Sequence, residues 1–460
     1  MKHWLLLLLV LVSAGAQAQQ TLSHGRFKRL AVYPPQGQPS GFVLLLSGSG
    51  GWNADMAKVA GALAAQGALV AGIDTPALFR DLDRDGGDCV FPDGDLENLS
   101  RFVQAYYKVQ GYLPPLLAGY GAGATFAYAV LAQAPDHTFA GALMLGFSPQ
   151  LSLRKPLCAD AGVKFKKLKQ RRSVELLPVR HIKAPLIALQ AESGHSQRLA
   201  DAQTFFAQVP GAEVVALPAA AQGLKSEKDW QPQWLAAYRK ITATEVKPVP
   251  PPASLGDLPV IEMAATGKPI DTFAVILSGD GGWAGLDKDV AAALIQKGVA
   301  VVGVDSLRYF WGARTPEGAA ADIDRIVRYY AAHWHKKRVL LIGYSQGADV
   351  LPFILNRLSR DVRAQVALAT GMGLSQHATF EFHMANWVKN DTEGPQTLPE
   401  IQKIQDIPFL CIYGAGEDDS ACPKIIDTPR AHAVKLPGGH HFDGNYGLLA
   451  DQILQAMPQH

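Results

Sequence analysis

The chain has 460 residues, of which 48% are hydrophobic and 18% are charged, and its formal net charge is +2. This length exceeds what one hydrophobic core usually serves, so two domains are expected, and the composition excludes long disorder. The near-neutral charge excludes an electrostatically driven nucleic-acid-binding protein, so no nucleic-acid partner is expected. The densest basic run, Lys164 to Arg172, is interpreted as a solvated surface or as a contact for an anionic partner such as lipid.

Residues 1–18 are typical of a cleavable secretory signal peptide. A short positive start precedes an apolar run from Trp4 to Val12, which is too short to span a bilayer, and Ala16-Gln17-Ala18 supplies an A-x-A cleavage site. No cysteine follows the apolar run closely enough for a lipid anchor. The sequence therefore predicts a periplasmic protein that is soluble or peripherally attached to a membrane.

Four cysteines in an exported protein can pair in three ways. Pairing of Cys89 with Cys158 and of Cys411 with Cys422 is favoured, because each pair then lies within one half of the chain. The alternative for Cys411 is a buried free thiol in a strand.

An internal repeat indicates that the two halves share one fold. The run F-V-L-L-L-S-G-S-G-G-W from Phe42 to Trp52 recurs as A-V-I-L-S-G-D-G-G-W from Ala274 to Trp283. Later matches keep the same order, and they pair Ala71–Asp74 with Val302–Asp305, Leu116–Gly123 with Leu340–Gly347, Pro185 with Pro408, and Leu217-Pro218 with Leu436-Pro437. The predicted domains are residues 19–244 and 257–460, joined by a proline-rich linker at 245–256.

Strand-like and helix-like stretches alternate within each copy. In the second copy the predicted strands are Ala274–Leu277, Ala300–Val304, Val339–Ile342, Ala364–Ala369 and Phe409–Tyr413, and the predicted helices are Asp287–Gln296, Gly318–Trp334 and Gln346–Leu358. Continuous Val, Ile and Leu runs are what a sheet covered on both faces requires. The predicted class is α/β, as two tandem α/β-hydrolase-like domains with mostly parallel sheets.

A candidate nucleophile lies in Gly343-Tyr344-Ser345-Gln346-Gly347, which matches G-x-S-x-G directly after a predicted strand. This pattern describes a sharp strand-to-helix turn that exposes a serine hydroxyl, and its glycines leave room for strand and helix to pass. Ser345 is therefore the predicted catalytic nucleophile.

Acyl transfer by such a serine also requires a carboxylate and then a histidine, in that order along the chain. The run Glu417-Asp418-Asp419 follows a predicted strand, and Asp419 is the first choice, Asp418 the second and Glu417 the third. Further along, Gly438-Gly439 precedes two histidines, of which His440 is preferred and His441 is the alternative.

The first copy has lost these chemical positions while keeping the surrounding pattern. Its counterparts are Gly121 for Ser345, His195 and Ser196 for the two aspartates, and Ala221 and Gln222 for the two histidines. The first domain is therefore predicted to be degenerate and non-catalytic.

Two backbone N–H groups are expected to form an oxyanion hole, one from Gln346 and one from Asp280 in the loop Ser278–Trp283. Because the first copy keeps a similar S-G-S-G-G-W, a purely structural role for this loop is the alternative. The remaining histidines lack a metal-ligand spacing, so neither a metal nor a cofactor is expected.

The segment from Asp305 to Pro316 places Arg308 and Arg314 on either side of three aromatic residues. Arginine suits phosphate and aromatic rings suit a lipid interface, although an ordinary loop with inward-packed rings is the alternative. Arg308 and Arg314, together with Trp283 and Tyr344, form the predicted substrate-binding set.

The runs L-S-G-D-G-G-W, D-S-L-R-Y-F-W-x-x-R-T-P, G-Y-S-Q-G-A-D and G-G-H-H-F-D-G between Asp257 and His460 resemble the AcvB/VirJ family of bacterial periplasmic virulence proteins. With its extra N-terminal copy the chain resembles the longer AcvB type. The resemblance implies a serine hydrolase that cleaves the aminoacyl ester of lysyl-phosphatidylglycerol, with peripheral contact at the periplasmic face of the inner membrane. It also implies possible secretion-system partners.

Two other functions stay open at this point. A carboxylesterase or lipase of different specificity would use the same three residues. A non-enzymatic periplasmic adaptor associated with type IV secretion would not need them.

Overall fold

The computed structural model describes residues 20–84, 89–109, 111–155, 157–158, 162–168, 173–191, 198–218, 224, 226–243, 252–381, 394–425 and 430–458. The predicted signal peptide and residues 245–251 of the predicted linker lie outside the described residues. So do the first-copy positions His195, Ser196, Ala221 and Gln222.

The chain divides into two compact units, and the division differs from the predicted domain boundary in one segment. Unit 1 comprises Met1–Val90 and Pro115–Thr244, and unit 2 comprises Phe91–Pro114 and Glu245–His460. The predicted first domain, 19–244, therefore lacks the segment Phe91–Pro114, here called the α3 segment. This segment belongs to unit 2 because it packs with residues of the second half of the chain, although in sequence it lies in the first half.

Unit 1 contains an eight-stranded sheet with the order β1-β2-β4-β3-β5-β6-β10-β11 and a small antiparallel sheet with the order β7-β9-β8. Strand β2 runs antiparallel to β1 and β4, and the pairs from β4 onward are parallel. The strands are Gln20–His24 (β1), Phe27–Tyr33 (β2), Gly41–Leu46 (β3), Ala68–Ile73 (β4), Pro115–Tyr120 (β5), Gly141–Leu145 (β6), Gln150–Leu151 (β7), Lys164–Lys167 (β8), Val174–Leu177 (β9), Leu186–Ala191 (β10) and Ala212–Leu217 (β11). The helices of unit 1 are Ala54–Ala64 (α1), Thr75–Leu82 (α2), Ala122–Gln133 (α4), Leu199–Phe206 (α5) and Glu227–Thr242 (α6), and the helix Pro92–Tyr106 (α3) belongs to unit 2.

Unit 2 repeats this architecture in a seven-stranded sheet with the order β12-β14-β13-β15-β16-β17-β18. Only its edge pair, β12 with β14, is antiparallel. The strands are Val260–Met263 (β12), Thr272–Leu277 (β13), Ala300–Val304 (β14), Arg338–Tyr344 (β15), Val366–Met372 (β16), Phe409–Gly414 (β17) and Ala431–Leu436 (β18). Besides α3, the helices are Gly285–Gln296 (α7), Ser306–Tyr309 (α8), Pro316–His333 (α9), Gln346–Leu355 (α10), Arg360–Arg363 (α11), Thr397–Gln402 (α12) and Tyr446–Ala456 (α13).

The central strands of unit 2 separate two apolar cores. Every residue of β13 is buried, with Phe273 and Val275 in the core on one face of the sheet and Ala274 and Ile276 in the core on the other. Alternate side chains of a strand point to opposite faces, so a strand covered on both sides must be apolar throughout. This confirms the predicted α/β class.

The repeat also preserves detailed packing. A Cβ on Gly72 would lie 2.1 Å from the Trp52 ring, and a Cβ on Gly303 would lie 2.6 Å from the Trp283 ring. In both copies a tryptophan from the loop after the first parallel strand lies flat over a glycine of the neighbouring strand. The correspondence supports a common origin for the two halves.

Both favoured cysteine pairs are disulfides, so the pairing prediction is confirmed. Cys89 is bonded to Cys158, and Cys411 is bonded to Cys422, with Cα–Cα distances of 4.9 and 5.5 Å. The second bond connects β17 to the segment that follows the acidic run.

Replacing Gly303 with alanine should lower the free energy of unfolding by about 1–3 kcal/mol, because the new methyl group would overlap the Trp283 ring. Gly312→Ala is the matched control, since a Cβ there would meet nothing within 4 Å. Urea unfolding followed by tryptophan fluorescence measures both variants. Equal unfolding midpoints for the two would contradict this account of the packing.

Candidate active site

Ser345 lies at the predicted strand-to-helix turn between β15 and α10. Its backbone has φ 50° and ψ −120°, and its N–H donates to the Met372 carbonyl at 2.9 Å. A Cβ on Gly343 would lie 2.3 Å from the Gly347 carbonyl oxygen, and a Cβ on Gly347 would lie 2.2 Å from the Leu277 carbonyl oxygen. The structure therefore gives these two glycines the steric role that the motif predicts.

The corresponding turn in unit 1 has almost the same backbone, with φ 53° and ψ −115° at Gly121. A left-handed conformation costs a non-glycine residue about 1–3 kcal/mol, whereas glycine adopts it without a Cβ clash. Unit 2 thus keeps a serine where the backbone favours glycine. Strain that is retained at one position of a repeat is typical of a functional residue.

Glu417 and His440 form a hydrogen-bonded pair near this turn. His440 Nδ1 lies 2.5 Å from Glu417 Oε1, and the other carboxylate oxygen, Oε2, accepts the Gly414 N–H at 2.5 Å. The Glu417 side chain is only 6% exposed. Strands β17 and β18 are parallel neighbours, so the loops at their carboxyl ends bring these two residues together.

The first choice of carboxylate, Asp419, does not occupy this position, and neither does Asp418. Both aspartates are exposed, whereas Glu417 lies in a tight turn in which its N–H donates to the Gly414 carbonyl at 3.1 Å. The turn directs the glutamate back toward the strand end and the following aspartates toward solvent. The sequence offered three adjacent acids, and only the turn geometry distinguishes them.

His440 also lies next to the strand end that holds the serine backbone. A Cβ on Gly373 would lie 2.7 Å from His440 Cε1, and Gly373 directly follows Met372, whose carbonyl accepts the Ser345 N–H. Serine, histidine and glutamate are therefore gathered at the carboxyl ends of β15 to β18. Ligand-facing groups of parallel sheets belong at this edge.

Tyr344 contacts both histidines of the loop after β18. Its hydroxyl lies 3.2 Å from His441 Nδ1 and donates to the His440 carbonyl at 3.2 Å, and its ring centroid lies 5.1 Å from that of His440. Tyr344 is 7% exposed. The structure thus places Tyr344 against the histidine loop, and its predicted contact with substrate stays a prediction.

The environment of His440 suits a general base. Burial lowers the pKa of His440, but the hydrogen bond and negative charge of Glu417 outweigh this effect, and the net pKa is raised above 6.5. The charges of Asp349 and Asp280 act in the same direction. The pKa of His441 is instead lowered, by burial and by the neighbouring His440.

Asp349, in the first turn of α10, is a buried carboxylate that sequence reasoning did not single out. It accepts the Ser375 N–H at 2.6 Å, and burial raises its pKa to about 8 against the opposing effects of that bond and of His440. The carboxylate connects the helix behind the serine to the loop after β16. Its position in the run G-Y-S-Q-G-A-D, four residues after Ser345, is the sequence feature that could have indicated a role near the serine.

The loop Ser278–Trp283, here called the first-strand loop, reaches the serine. A Cβ on Gly279 would lie 3.4 Å from Ser345 Cβ, and Ser278 Oγ accepts the Ser306 N–H at 2.9 Å. Gln346 begins α10, so its N–H has no intrahelical acceptor. The loop and Gln346 thus lie beside Ser345, as the oxyanion prediction requires, and their role in stabilising an oxyanion stays a prediction.

The remaining predicted substrate residues have structural contacts. Trp283 is 5% exposed and belongs to the core, because its ring covers Gly303. Arg308 Nη2 donates to the Val109 carbonyl at 2.6 Å. Arg314 stacks on Tyr309, with its guanidinium carbon 4.6 Å from the ring centroid, and its side chain is 39% exposed.

Among the described residues, no group of three or more His, Cys, Asp or Glu side chains is arranged to hold a metal ion. Nor does the described part of the chain include a helix that is both long and apolar enough to cross a membrane.

Residues 271–460 match the family described as bacterial virulence protein (VirJ). This part of the chain is a VirJ-family domain. The match contains the serine, the glutamate and the histidine, and it excludes the whole of unit 1 as well as the α3 segment. Among curated proteins, none matches the chain significantly.

Solved structures with a similar fold include serine hydrolases and esterases. An α/β serine hydrolase homologue from Coxiella burnetii is 15% identical, with 43% of this chain and 91% of that chain covered and a TM-score of 0.32. The esterase domain of a Rhodothermus marinus protein is 20% identical, with 48% and 97% covered and a TM-score of 0.34. At these values the similarities support no statement about activity of the VirJ-family domain.

Glu417→Gln should lower the pKa of His440, because the amide keeps the shape of the side chain but removes the charge that stabilises the imidazolium. Titration of ¹³C-labelled histidine by NMR measures this pKa, with the His440 signal assigned by its loss in His440→Asn. Asp419→Asn is the matched control and should leave the pKa unchanged. An equal fall in both variants would show that Glu417 is not the dominant partner.

Proposed function

We propose that the chain is a periplasmic serine ester hydrolase that cleaves the aminoacyl ester of lysyl-phosphatidylglycerol into phosphatidylglycerol and lysine. The observation that carries the catalytic part is the gathering of Ser345, His440 and Glu417 at one edge of the unit 2 sheet. The substrate follows from the resemblance of the motifs to the AcvB type of the family.

In the proposed reaction, Ser345 Oγ attacks the aminoacyl carbonyl carbon while His440 Nε2 accepts the hydroxyl proton. Glu417 holds Nδ1 and stabilises the imidazolium that forms. His440 then gives the proton to the departing glycerol oxygen, which releases phosphatidylglycerol and leaves a lysyl ester on Ser345. Water, deprotonated by His440, attacks this ester, and His440 returns the proton to Ser345 Oγ as the acyl bond breaks and lysine is released.

Two N–H groups are proposed to stabilise the tetrahedral oxyanion, those of Gln346 and Asp280. Gln346 directly follows the nucleophile, and Asp280 is next to Gly279, whose Cβ position lies beside Ser345. Donors positioned in advance toward developing charge are often the largest single contribution to such catalysis.

The charges around the serine fit a cationic acyl group. Asp280 is exposed to solvent and close enough to His440 for their charges to shift each other's pKa. The corresponding residue of the first copy is Ser49. We propose that the Asp280 carboxylate receives an ammonium group of the lysyl moiety.

Arg314 is the better of the two arginine candidates for the lipid phosphate. Its side chain is 39% exposed, and its backbone N–H donates to the Phe380 carbonyl at 2.9 Å. The adjacent Thr379 carbonyl accepts the Gln346 side-chain amide at 3.1 Å, so Arg314 lies near the residue that follows the nucleophile. Both guanidinium groups donate to a backbone carbonyl, Arg308 to Val109 and Arg314 to Tyr309, and Arg308 is less suitable because it is the less exposed of the two.

The two disulfides fit an oxidising compartment such as the periplasm. A phospholipid substrate would require peripheral contact with the membrane face. Unit 1, with Gly121 in place of the serine, is proposed to take no part in the chemistry.

Ser345→Ala should reduce hydrolysis of lysyl-phosphatidylglycerol in detergent micelles by at least about 1000-fold, because alanine lacks the hydroxyl that attacks the aminoacyl carbonyl. Release of free lysine measures the rate. Ser254→Ala is the control, because Ser254 is exposed and its printed contact is through its backbone carbonyl, which alanine retains. Wild-type rates in Ser345→Ala would refute the proposed function.

A panel of neutral esters and triglycerides, assayed in parallel, separates this activity from a general esterase or lipase. Activity on neutral esters alone would retain the serine mechanism and overturn the aminoacyl substrate. Absence of any Ser345-dependent hydrolysis would favour the adaptor role instead.

Asp280→Asn should raise KM for a soluble lysyl ester by about tenfold or more, because a charge-assisted contact with an ammonium group is lost. KM for an uncharged butyryl ester should change little. Asp418→Asn, which alters an exposed carboxylate outside the His440 pair, is the matched control. Equal changes for both substrates would argue against recognition of the ammonium group by Asp280.

A further inference from the structure

The α3 segment comes from the first half of the sequence but packs within unit 2. In chain order α3 lies between β4 and β5, the place that α9 takes between β14 and β15 in the second copy. Unit 2 therefore contains its own helix at this position and also the equivalent helix from the first copy. Repetition of the fold does not require this additional helix in unit 2.

The α3 segment inserts a fully buried arginine next to the first-strand loop. Arg101 is 1% exposed, its Nη2 donates to Glu97 Oε1 at 3.0 Å, and its Nη1 lies 3.6 Å from Asp305 Oδ2. Its guanidinium carbon lies 3.9 Å from the centre of the Tyr112 ring. Lys288 Nζ donates to the same Glu97 oxygen at 2.7 Å.

This buried cluster links both parts of unit 2 by charge. Glu97 and Arg101 belong to α3, whereas Lys288 and Asp305 belong to the second half of the chain. A buried charge is costly unless it is paired, and among the described residues Arg101 Nε has no hydrogen-bond partner. Keeping an arginine here at that cost indicates a role beyond filling volume.

The backbone of the first-strand loop is confined between α3 and Asp305. A Cβ on Gly281 would lie 3.1 Å from Asn98 Oδ1, and a Cβ on Gly282 would lie 2.7 Å from Asp305 Oδ1 and 3.3 Å from Arg101 Cδ. Asp305 in turn accepts the Arg308 N–H at 3.2 Å, which caps α8. Arg101 thus contacts the loop on one side and the aspartate behind it on the other.

The first copy shows how this loop can be held without such a helix. There the equivalent aspartate, Asp74, accepts the Trp52 N–H directly at 2.9 Å. In unit 2 the Arg101 guanidinium lies beside the corresponding aspartate, Asp305. In the copy that carries the serine, the aspartate behind the first-strand loop therefore has an arginine as its neighbour.

We propose that the α3 segment completes the active site of the VirJ-family domain, with Arg101 as a positioning residue that fixes the first-strand loop and its oxyanion donor. This inference rests on the proposed serine hydrolase function. It assigns to the first half of the chain a part in catalysis that does not involve its own degenerate turn.

Arg101→Met in the full chain should lower kcat for a soluble lysyl ester by about tenfold or more, with KM changed less than about twofold, because oxyanion stabilisation acts on the transition state. The affinity of a boronic acid that forms a tetrahedral adduct with Ser345 should fall by a similar factor. Arg101→Lys, which keeps the charge, should recover part of the loss. Rates are normalised to active sites by titration, so that unfolded protein does not count.

A second pair of variants tests the contact without removing a buried charge. Gly281→Ala should lower kcat severalfold, because its methyl group would push the loop away from Asn98. Asn98→Ala in the Gly281→Ala background should restore most of that loss, since it removes the obstructing side chain. Gly312→Ala, in an open position, is the control for the added methyl group.

Unchanged kcat and unchanged boronic-acid affinity in Arg101→Met would overturn the positioning role. So would a Gly281→Ala defect that Asn98→Ala fails to relieve. Ser345→Ala is measured beside these variants. Wild-type activity in Ser345→Ala would instead refute the proposed function itself, so the two failures are distinguishable.

Discussion

The site depends on a close backbone crossing at the carboxyl end of β15. Gly343 and Gly347 leave no space for a Cβ, because the carbonyl oxygens of Gly347 and Leu277 lie 2.3 and 2.2 Å from where those atoms would be. This crossing turns the chain sharply enough to hold Ser345 in a left-handed conformation above the sheet. Unit 1 makes the same crossing at Gly119 and Gly123, so the turn is a property of the fold, and the serine is what unit 2 adds.

Around this turn, parallel strands collect the other chemical groups. The loops after β16, β17 and β18 supply Gly373, Glu417 and His440, which meet because the strands end at the same edge of the sheet. The left-handed residues Phe442 and Asp443, with Gly438 before them, give the histidine loop its compact shape. Positive φ values in unit 2 thus occur at the nucleophile and, in sequence, two and three residues after His440.

Duplication left the two copies with different residues at the positions of the serine, the acid and the histidine. Unit 1 keeps the sheet, the turn and the tryptophan-over-glycine contact, and it lacks the serine hydroxyl. The α3 segment comes from the first half of the sequence but belongs to unit 2, where Arg101 and Glu97 form a charge cluster with Asp305 and Lys288. Loss of chemistry in the first copy is therefore compatible with a continuing structural contribution to the second.

The local sequence determined the fold class, the repeat, both disulfides and the turn at Ser345. Each of these follows from apolar periodicity, cysteine placement or glycine sterics over a short stretch of chain. The choice of Glu417 over Asp419 was decided only by the tertiary structure, because three adjacent acids differ in where the Gly414–Ser420 turn directs them. The burial of Trp283 and Tyr344 likewise became visible only in the structure, since burial depends on strands distant in sequence. Nor does the sequence indicate that the α3 segment packs in unit 2, because its charged partners lie about two hundred residues further along the chain.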